Sequence, residues 1–191
     1  MTEIFLQKLR ELKKYGIDNQ IPNISETLGM FLNILIKNKK IKNILEIGTA
    51  NGVSTIWMAE ALRATNGKIT TFEFSIPSRN DALKNFKMFK LNKYINSIFG
   101  DANDKIKDKK LKIKNKSFDL IFIDGQKNQT LKFFNTCKKL IKDDGIIIID
   151  DVIKFKYKMA EFYKYIEKQK EFNYIILPID IDDGIMFITK K

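Results

Sequence analysis

The amino-acid sequence predicts an α/β fold, in which helices wind on both sides of a mostly parallel sheet of seven strands. Short apolar runs alternate with longer stretches of helical periodicity along most of the chain. The runs Asp119–Ile123 and Ile146–Ile149 are almost continuously apolar, which is typical of central parallel strands covered on both faces. The last two runs have no helix between them, so we expect an antiparallel hairpin at one edge of the sheet.

The order of the elements follows from the same patterns. Two helices, at about residues 2–14 and 25–38, form an N-terminal segment of residues 1–40, and residues 41–191 are expected to complete a single domain. Ser75 before Pro77 indicates a helix start, and Asp143-Asp144-Gly145 is expected to close a helix and open the next strand. The predicted strands are Ile44–Gly48, Lys68–Phe74, Ile95–Phe99, Phe118–Ile123, Gly145–Asp150, Tyr174–Pro178 and Gly184–Thr189, and the predicted helices between them are Val53–Thr65, Ser78–Leu91, Asn128–Ile141 and Phe155–Gln169.

The composition excludes several classes of protein and site. No run approaches the roughly 18 apolar residues of a membrane span, and the first ten residues read as an amphipathic helix, so we expect no membrane association. The single cysteine, Cys137, excludes an internal disulfide and lies at an apolar position of a helical pattern, so a buried thiol and a cytoplasmic location are expected. The absence of histidine excludes histidine bases and the common zinc sites, which leaves oxygen ligands for any metal.

The formal net charge of +12 is a weaker indication of a nucleic-acid partner than it first suggests. Arginine occurs only at Arg10, Arg63 and Arg79, whereas lysine, asparagine and isoleucine are abundant. A compositional drift toward those three residue types produces a basic chain even when the protein has no acidic partner such as a nucleic acid. The densest basic run, Lys105–Lys116, is interpreted as a solvated helix or loop face.

The segment Asn43–Ser54 carries the clearest binding signal. An apolar strand runs into Gly48 and Gly52 and then into a helical pattern, which is how a chain places backbone N–H groups against a small ligand. The spacing is Glu-x-Gly-x-x-x-Gly, which differs from the Gly-x-Gly-x-x-Gly of dinucleotide sites. Glu46, two residues before the first glycine, suits a positively charged amino-acid ligand such as S-adenosylmethionine. The alternative is an ordinary strand-to-helix turn.

Each of the first five predicted strands ends in glycine or oxygen-bearing side chains, at the edge where open α/β sheets bind ligands. Glu73 lies 25 residues after Gly48, near the position where an acid contacts ribose hydroxyls, although it could instead cap a helix. The residues that follow the five strands are Gly48, Thr49, Asn51, Gly52 and Ser54; Glu73; Gly100, Asp101 and Ala102; Asp124 and Lys127; and Asp150 and Asp151.

Three of these acids predict a cation site. If the strands before Asp124 and Asp150 are neighbours, their ends lie about 4.8 Å apart, and Asp151 brings a third carboxylate to the same place. Unbalanced carboxylates at that distance repel one another and raise one another's pKa. A divalent cation (Mg²⁺ or Mn²⁺, with Ca²⁺ as a further option) would resolve the repulsion. The alternative is that these acids cap a helix and open a turn.

At this point the sequence resembles the cation-dependent O-methyltransferases of the caffeoyl-CoA and catechol type, over roughly residues 21–191. The resemblance implies a Rossmann-like methyltransferase fold with strand order 3-2-1-4-5-7-6 and a homodimer. It implies that Asp124, Asp150 and Asp151 bind the cation, and that Lys127, with Asp124 beside it, helps to deprotonate the acceptor hydroxyl. It also implies an S-adenosylmethionine site: the methionine part near Glu46, Gly48, Thr49, Asn51, Gly52 and Ser54, the ribose on Glu73, the adenine on Asp101 and Ala102, and further contacts from Phe74 and Asp124. The residues that carry the resemblance are Ile44–Ser54, Glu73, Gly100–Ala102, Phe118–Lys127, Gly145–Val152, Leu177-Pro178 and Asp183-Gly184.

The sequence departs from that family at two places that bear on the acceptor. Asp151 stands where the family usually has asparagine. The added negative charge has two alternative consequences, tighter cation binding or weaker ionisation of the acceptor. Lys154–Lys158 is basic and aromatic where plant relatives carry a tryptophan, so a phosphate- or carboxylate-bearing acceptor, or a nucleic acid, fits better than a flat phenylpropanoid.

Three functions remain open at this point. The leading hypothesis is methyl transfer to a hydroxyl of a small catechol-like or hydroxylated acceptor. The main alternative is the same chemistry on RNA, for instance on a 5-hydroxyuridine at the wobble position of tRNA. The third is a non-catalytic protein that binds S-adenosylmethionine.

Overall fold

The computed structural model describes residues 1–191 as seven strands, seven α-helices and four short 3₁₀ helices. The strands are β1 (Asn43–Ile47), β2 (Lys68–Glu73), β3 (Ile95–Phe99), β4 (Phe118–Ile123), β5 (Ile141–Ile149), β6 (Phe172–Leu177) and β7 (Ile185–Lys190). The α-helices are α1 (Glu3–Asp18), α2 (Glu26–Asn38), α3 (Val53–Thr65), α4 (Ile76–Met88), α5 (Ala102–Lys105), α6 (Thr130–Cys137) and α7 (Ala160–Ile166). The 3₁₀ helices are Asn92–Tyr94, Lys109–Leu111, Lys127–Gln129 and Lys156–Met159.

The sheet has the order β3-β2-β1-β4-β5-β7-β6, which confirms the predicted order. Strand β4 pairs in parallel with β1 and with β5. Strand β7 is antiparallel to β6, as the absence of a helix between these last two strands predicts, and it is also antiparallel to β5. The register places Ile47 opposite Ile123 and Ile123 opposite Ile149. The last residues of three neighbouring strands are therefore level, and the residues that follow them leave the sheet together.

The chain divides into two compact units, and the first comprises Met1–Lys42 and Thr49–Gly100. Its core contains Leu28, Leu32 and Ile36, which are completely buried on α2, the helix that packs against α3. Helix α4 begins at an N-cap, Ser75, whose side chain accepts a hydrogen bond from the backbone N–H of Ser78, a contact typically worth about 1 kcal/mol. This cap confirms the predicted helix start.

The second unit comprises Asn43–Gly48 and Asp101–Lys191. Strands β1, β4 and β5 supply its core, because their isoleucine, leucine and phenylalanine side chains are buried on both faces. On one side Phe134 of α6 makes edge contacts with Phe162 and Phe172 at centroid distances of 5.4 and 5.3 Å. Cys137 is buried, as predicted. That the 191 residues act as one domain stays a prediction.

Two predicted helices are shorter in the structure. The helix predicted over Asn128–Ile141 ends at Cys137, because Ile141 pairs with Phe118 and already belongs to β5. The next pair is Leu120 with Ile146, so β5 carries extra residues between the two paired points, and Asp143–Gly145 lies in this irregularity rather than closing a helix. The helix predicted over Phe155–Gln169 is a 3₁₀ turn followed by α7. None of the helices has both the length and the apolar character needed to cross a membrane.

Candidate active site

Three carboxylates meet where β4 and β5 end. Asp124 and Asp150 are the first residues after these strands. Their backbone N–H groups donate hydrogen bonds to the carbonyl oxygens of Ile47 (2.9 Å) and Ile123 (3.0 Å), which continues the hydrogen-bond pattern of the sheet by one residue. The side chains of Asp124, Asp150 and Asp151 each offer a carboxylate oxygen, and these atoms lie within 4.8 Å of one another. Asp150 is buried, with 7% of its surface exposed, while the other two are partly exposed.

Gly48 is needed for β1 and β4 to end side by side. Its φ of +96° lies in the left-handed region, which side chains rarely adopt. A Cβ atom at this position would also overlap the backbone carbonyl oxygen of Asp124. The absence of a side chain thus lets the two strand ends approach, and it fixes the backbone from which the Asp124 carboxylate projects.

Lys127 is the positive charge of this cluster. Its Nζ atom lies 2.5 Å from Oδ1 of Asp124 and 2.6 Å from Oδ2 of Asp151, and its side chain is 15% exposed. The 3₁₀ helix Lys127–Gln129 carries it back over the end of β4, and the hydroxyl of Thr130 donates to the Lys127 carbonyl oxygen (2.8 Å). The lysine side chain therefore bridges two of the three acids.

The charges in the cluster are not balanced. Burial, with repulsion from Asp124 and Asp151, raises the pKa of Asp150 well above its usual range. Burial also raises the pKa of Asp151 to about 6, against the attraction of Lys127. Burial disfavours the charged form of Lys127, but Asp124 and Asp151 outweigh it and raise the lysine pKa above its ordinary value. A cluster with an excess of hard oxygen donors suits Mg²⁺, Mn²⁺ or Ca²⁺.

The other predicted residues of the second unit lie at strand ends or in the core. Glu46 is completely buried in β1, where it is level with Phe122 of β4. Asp101 is the N-cap of α5, and its Oδ1 accepts a hydrogen bond from the backbone N–H of Asn103 at 2.7 Å. Ala102 is the first residue of that helix and is buried. Their contacts with a cofactor stay predictions.

In the first unit, Glu73 holds the turn that follows Gly48. Its Oε2 accepts from the backbone N–H of Ala50 and its Oε1 from that of Ser75, both at 2.8 Å. The glutamate is 6% exposed, and it serves the start of α4 as well as the glycine turn. The structural role named above as the alternative is therefore present, and each carboxylate oxygen retains a lone pair for a ribose hydroxyl.

The remaining predicted residues of the first unit surround that turn. The hydroxyls of Thr49 and Thr71 are 2.5 Å apart, and Gly52 is the left-handed N-cap of α3. Asn51 is completely buried, and neither its side-chain oxygen nor its side-chain nitrogen has a hydrogen-bond partner, which makes it an unusual buried amide. Ser54 is buried on α3, whereas Phe74 is 60% exposed.

Comparison with known proteins places this arrangement in a family. The sequence model of a protein family described as O-methyltransferase matches residues 2–191 of this chain. The chain belongs to the O-methyltransferase family. Catechol O-methyltransferase of Niastella koreensis is 35% identical over 132 residues, which cover 69% of this chain and 59% of that protein. Caffeoyl-CoA O-methyltransferase of Populus kitakamiensis is 28% identical over 151 residues, covering 78% of this chain and 63% of that protein. The matches thus span about 60% of the length of these curated relatives.

A solved structure supports the same assignment. The O-methyltransferase from Bacillus cereus, crystallised in complex with SAH, superposes with a TM-score of 0.84 and 28% sequence identity. The alignment covers 96% of this chain and 91% of that one. The family assigned from the sequence resemblance is therefore confirmed.

Asp183 lies close to this candidate active site, but it was not assigned a role from the sequence. Asp183, in the link between β6 and β7, accepts hydrogen bonds on Oδ1 from the backbone N–H groups of Ile153 and Lys154, both at 3.1 Å. Its sequence signal is the Asp183-Gly184 pair within the series that resembles the family. That signal does not reveal which segment Asp183 contacts, since the contact joins residues about 30 positions apart.

Proposed function

We propose that this protein is an S-adenosylmethionine-dependent O-methyltransferase that requires a divalent cation and methylates a hydroxyl of a small catechol-like or hydroxylated acceptor. The family match and the SAH complex of the Bacillus cereus protein support the cofactor. The names of the relatives support oxygen as the methylated atom. The observation that carries the cation requirement is the group of three carboxylates with Lys127 at the ends of β4 and β5.

Asp124, Asp150 and Asp151 are the residues that we propose as cation ligands. When bound, a divalent cation lowers the pKa of an acceptor hydroxyl, which is about 10 for a phenol, and fixes its orientation. S-adenosylmethionine supplies an electrophilic methyl group on a sulfonium. The protein's own part is to hold the acceptor oxygen in line with that methyl group, which is catalysis by proximity. Glu73 is proposed to hold the ribose, and Asp101 and Ala102 the adenine.

Lys127 is the proposed proton acceptor. An amine can accept a proton only in its neutral form, and the charges of Asp124 and Asp151 are what hold Lys127 in its protonated form. Lys127 therefore becomes a base once the negative charge of the two carboxylates is balanced by a positive charge other than its own. The proton of the acceptor hydroxyl would then pass to Nζ. This dependence ties the basicity of Lys127 to cation binding.

The segment Lys154–Lys158 supports an acceptor that carries an anionic group. Its lysines and Tyr157 are exposed, with Tyr157 at 71%, and Nζ of Lys158 lies 5.0 Å from the centroid of the Phe155 ring. This segment begins three residues after Asp151. Lysines interleaved with aromatic rings suit a phosphate or carboxylate attached to a flat group.

The same segment and the net charge of +12 favour the second candidate, a tRNA nucleoside such as 5-hydroxyuridine. The scarcity of arginine, the usual bidentate reader of phosphate, argues against it. The third candidate, a protein that binds S-adenosylmethionine without turnover, has no specific observation in its favour. The homodimer and the cytoplasmic location stay predictions.

The experiment is transfer of a labelled methyl group from S-adenosylmethionine. A panel of catechols, with and without a carboxylate or phosphate, is compared with tRNA that carries unmethylated 5-hydroxyuridine, each with Mg²⁺, with Mn²⁺ and with EDTA. We expect label in the catechols, most in the anionic ones, and loss of transfer with EDTA. Transfer to tRNA alone would establish the second candidate. Transfer that persists in EDTA would refute the cation requirement, and cofactor binding without any transfer would establish the third candidate.

A further inference from the structure

The chain makes a strained turn at Asp151. The φ of this residue is +62°, in the left-handed region, where aspartate and asparagine are the best tolerated residues after glycine. The turn closes through a hydrogen bond from the backbone N–H of Phe155 to the carbonyl oxygen of Asp151 at 3.2 Å. Because the backbone conformation sets where the side chain points, the position of the Asp151 carboxylate depends on what stabilises this turn.

The link between β6 and β7 stabilises it. Oδ1 of Asp183 accepts from the N–H groups of Ile153 and Lys154, both at 3.1 Å, and from that of Gly184 at 2.7 Å. The backbone N–H of Val152 donates to the carbonyl oxygen of Gly184 at 3.0 Å. Gly184 permits this approach, since a Cβ atom there would overlap the carbonyl oxygen of Leu177 and crowd the side chain of Ile153. Three consecutive N–H groups after Asp151 are thus engaged by two residues.

Asp183 also affects the Asp151 side chain electrostatically. Burial is the main cause of the raised pKa of Asp151, and the carboxyl group of Asp183 raises that pKa further. The second oxygen of Asp183, Oδ2, is buried and has no donor among its neighbours. The hydrogen bonds from the backbone N–H groups of Ile153, Lys154 and Gly184 are therefore what keep Asp183 in place.

We infer that Asp183 is a positioning residue, which holds the left-handed turn at Asp151 and thereby directs the Asp151 carboxylate toward Lys127 and the proposed cation. The inference rests on the proposed function for its consequence, cation affinity, while the stabilisation of the turn is a claim about the folded chain alone. Replacing a residue that orients a metal ligand without contacting the metal itself typically weakens metal binding by about 10- to 100-fold.

Two substitutions and one control test the inference. Asp183→Ala removes the acceptor, whereas Asp183→Asn keeps an oxygen at Oδ1 and removes the negative charge. Asp182→Asn removes a charge from the exposed neighbouring residue. Hydrogen–deuterium exchange of residues 152–155 reports the turn, and calorimetric titration with Mn²⁺ reports the site without requiring turnover.

We expect Asp183→Ala to lose the exchange protection of Ile153 and Lys154 and to bind Mn²⁺ about 10- to 100-fold more weakly. Asp183→Asn should keep the protection and stay within a few-fold of the wild-type affinity, and Asp182→Asn should match wild type. Wild-type protection and affinity in Asp183→Ala would overturn the inference. If Asp183→Ala does not fold, Asp183→Asn decides, because a large loss of Mn²⁺ affinity with the exchange protection retained would separate affinity from the turn and overturn the inference. A wild-type protein that binds no Mn²⁺ would refute the proposed cation site, and the exchange data would still decide the role of Asp183.

Discussion

Nζ of Lys127 lies 2.5 Å from Oδ1 of Asp124, three residues earlier in the chain and just past the end of β4. A second carboxylate, Asp151, contacts the same ammonium from the end of β5 at 2.6 Å. Because the two acids together raise the lysine pKa, the same residues that are proposed to bind a cation also control whether the proposed base carries a proton. The proposed reaction and the charge balance of the cluster are therefore coupled.

Replacing Lys127 by methionine should lower turnover by about 10²- to 10⁴-fold, the usual contribution of a general base. Binding of S-adenosylmethionine should change little, because the residues proposed for the cofactor are others. The measurement is the initial rate of methyl transfer, with calorimetry for the cofactor. Lys132→Met, which removes an exposed lysine from the outer surface of α6, is the matched control and should keep the wild-type rate. Equal rates in both variants would exclude Lys127 as the base.

Replacing Asp151 by asparagine removes one of three carboxyl groups from a site that contains a single lysine, and with it part of the repulsion that acts on the buried Asp150. We expect the metal-free protein to become more stable by roughly 1 kcal/mol, which corresponds to a rise of about 2–4 °C in Tm for a chain of this size. The cation should bind about tenfold more weakly, since affinity follows the number of charged ligands. Thermal unfolding in EDTA and titration with Mn²⁺ measure the two effects. A variant that is less stable in EDTA would show that the ion pair with Lys127 outweighs the repulsion.

Replacing Glu73 by glutamine should weaken S-adenosylmethionine binding and lower the stability together. The amide nitrogen would face the backbone N–H of Ala50 or Ser75, so one of two hydrogen bonds is lost and a donor is left unpaired, at a cost of about 1–3 kcal/mol. Calorimetry with the cofactor and urea unfolding measure the effects. Asp81→Asn, which breaks only an exposed pair with Lys84, is the control. Unchanged cofactor affinity in a destabilised Glu73→Gln would leave Glu73 with its structural role alone.

Cys137 should make the stability fall with pH in the alkaline range. Burial raises the pKa of its thiol in the folded protein, whereas the thiol of the unfolded chain ionises near pH 8.5. The unfolded state therefore loses a proton first, and the free energy of unfolding falls by up to about 1.4 kcal/mol per pH unit above that value. Cys137→Ala should be less stable at pH 8 because of the cavity, and its stability should fall less steeply toward pH 10. Urea unfolding under reducing conditions measures both slopes, and parallel curves would contradict this account.

The sequence predicted elements best where the evidence for them was local. The bounds of α3, β3 and β4 agree with the prediction because apolar runs there meet glycine, polar turns or caps. The predicted end of α6 was wrong because Leu140 and Ile141 continue the apolar spacing of the helix. Only the pairing of Ile141 with Phe118 makes Ile141 part of a strand. That pairing is a long-range contact, which periodicity does not contain.

The candidate site divides in the same way. The sequence predicted that three acids meet, because Asp124, Asp150 and Asp151 follow two strands that were expected to be neighbours. The structure places their carboxylate oxygens within 4.8 Å of one another. The contacts of Lys127 with two acids and of Asp183 with the Asp151 turn depend on side-chain directions and on the returning hairpin, neither of which has a sequence pattern. The two hydrogen bonds that the carboxylate of Glu73 accepts from the backbone N–H groups of Ala50 and Ser75 were likewise not predictable from the sequence.

The irregularity in β5 acts as a spacer. Between the pairs Phe118–Ile141 and Leu120–Ile146, β4 advances by two residues and β5 by five, and only after this offset does Ile149 come level with Ile123. Shortening residues 142–145 by one would shift the phase of the strand and send each following side chain to the opposite face. The distance between Asp124 and Asp150 is thus adjusted at the far end of the strand, away from any reacting atom. Insertions and deletions there are therefore expected to displace Asp150 relative to Asp124.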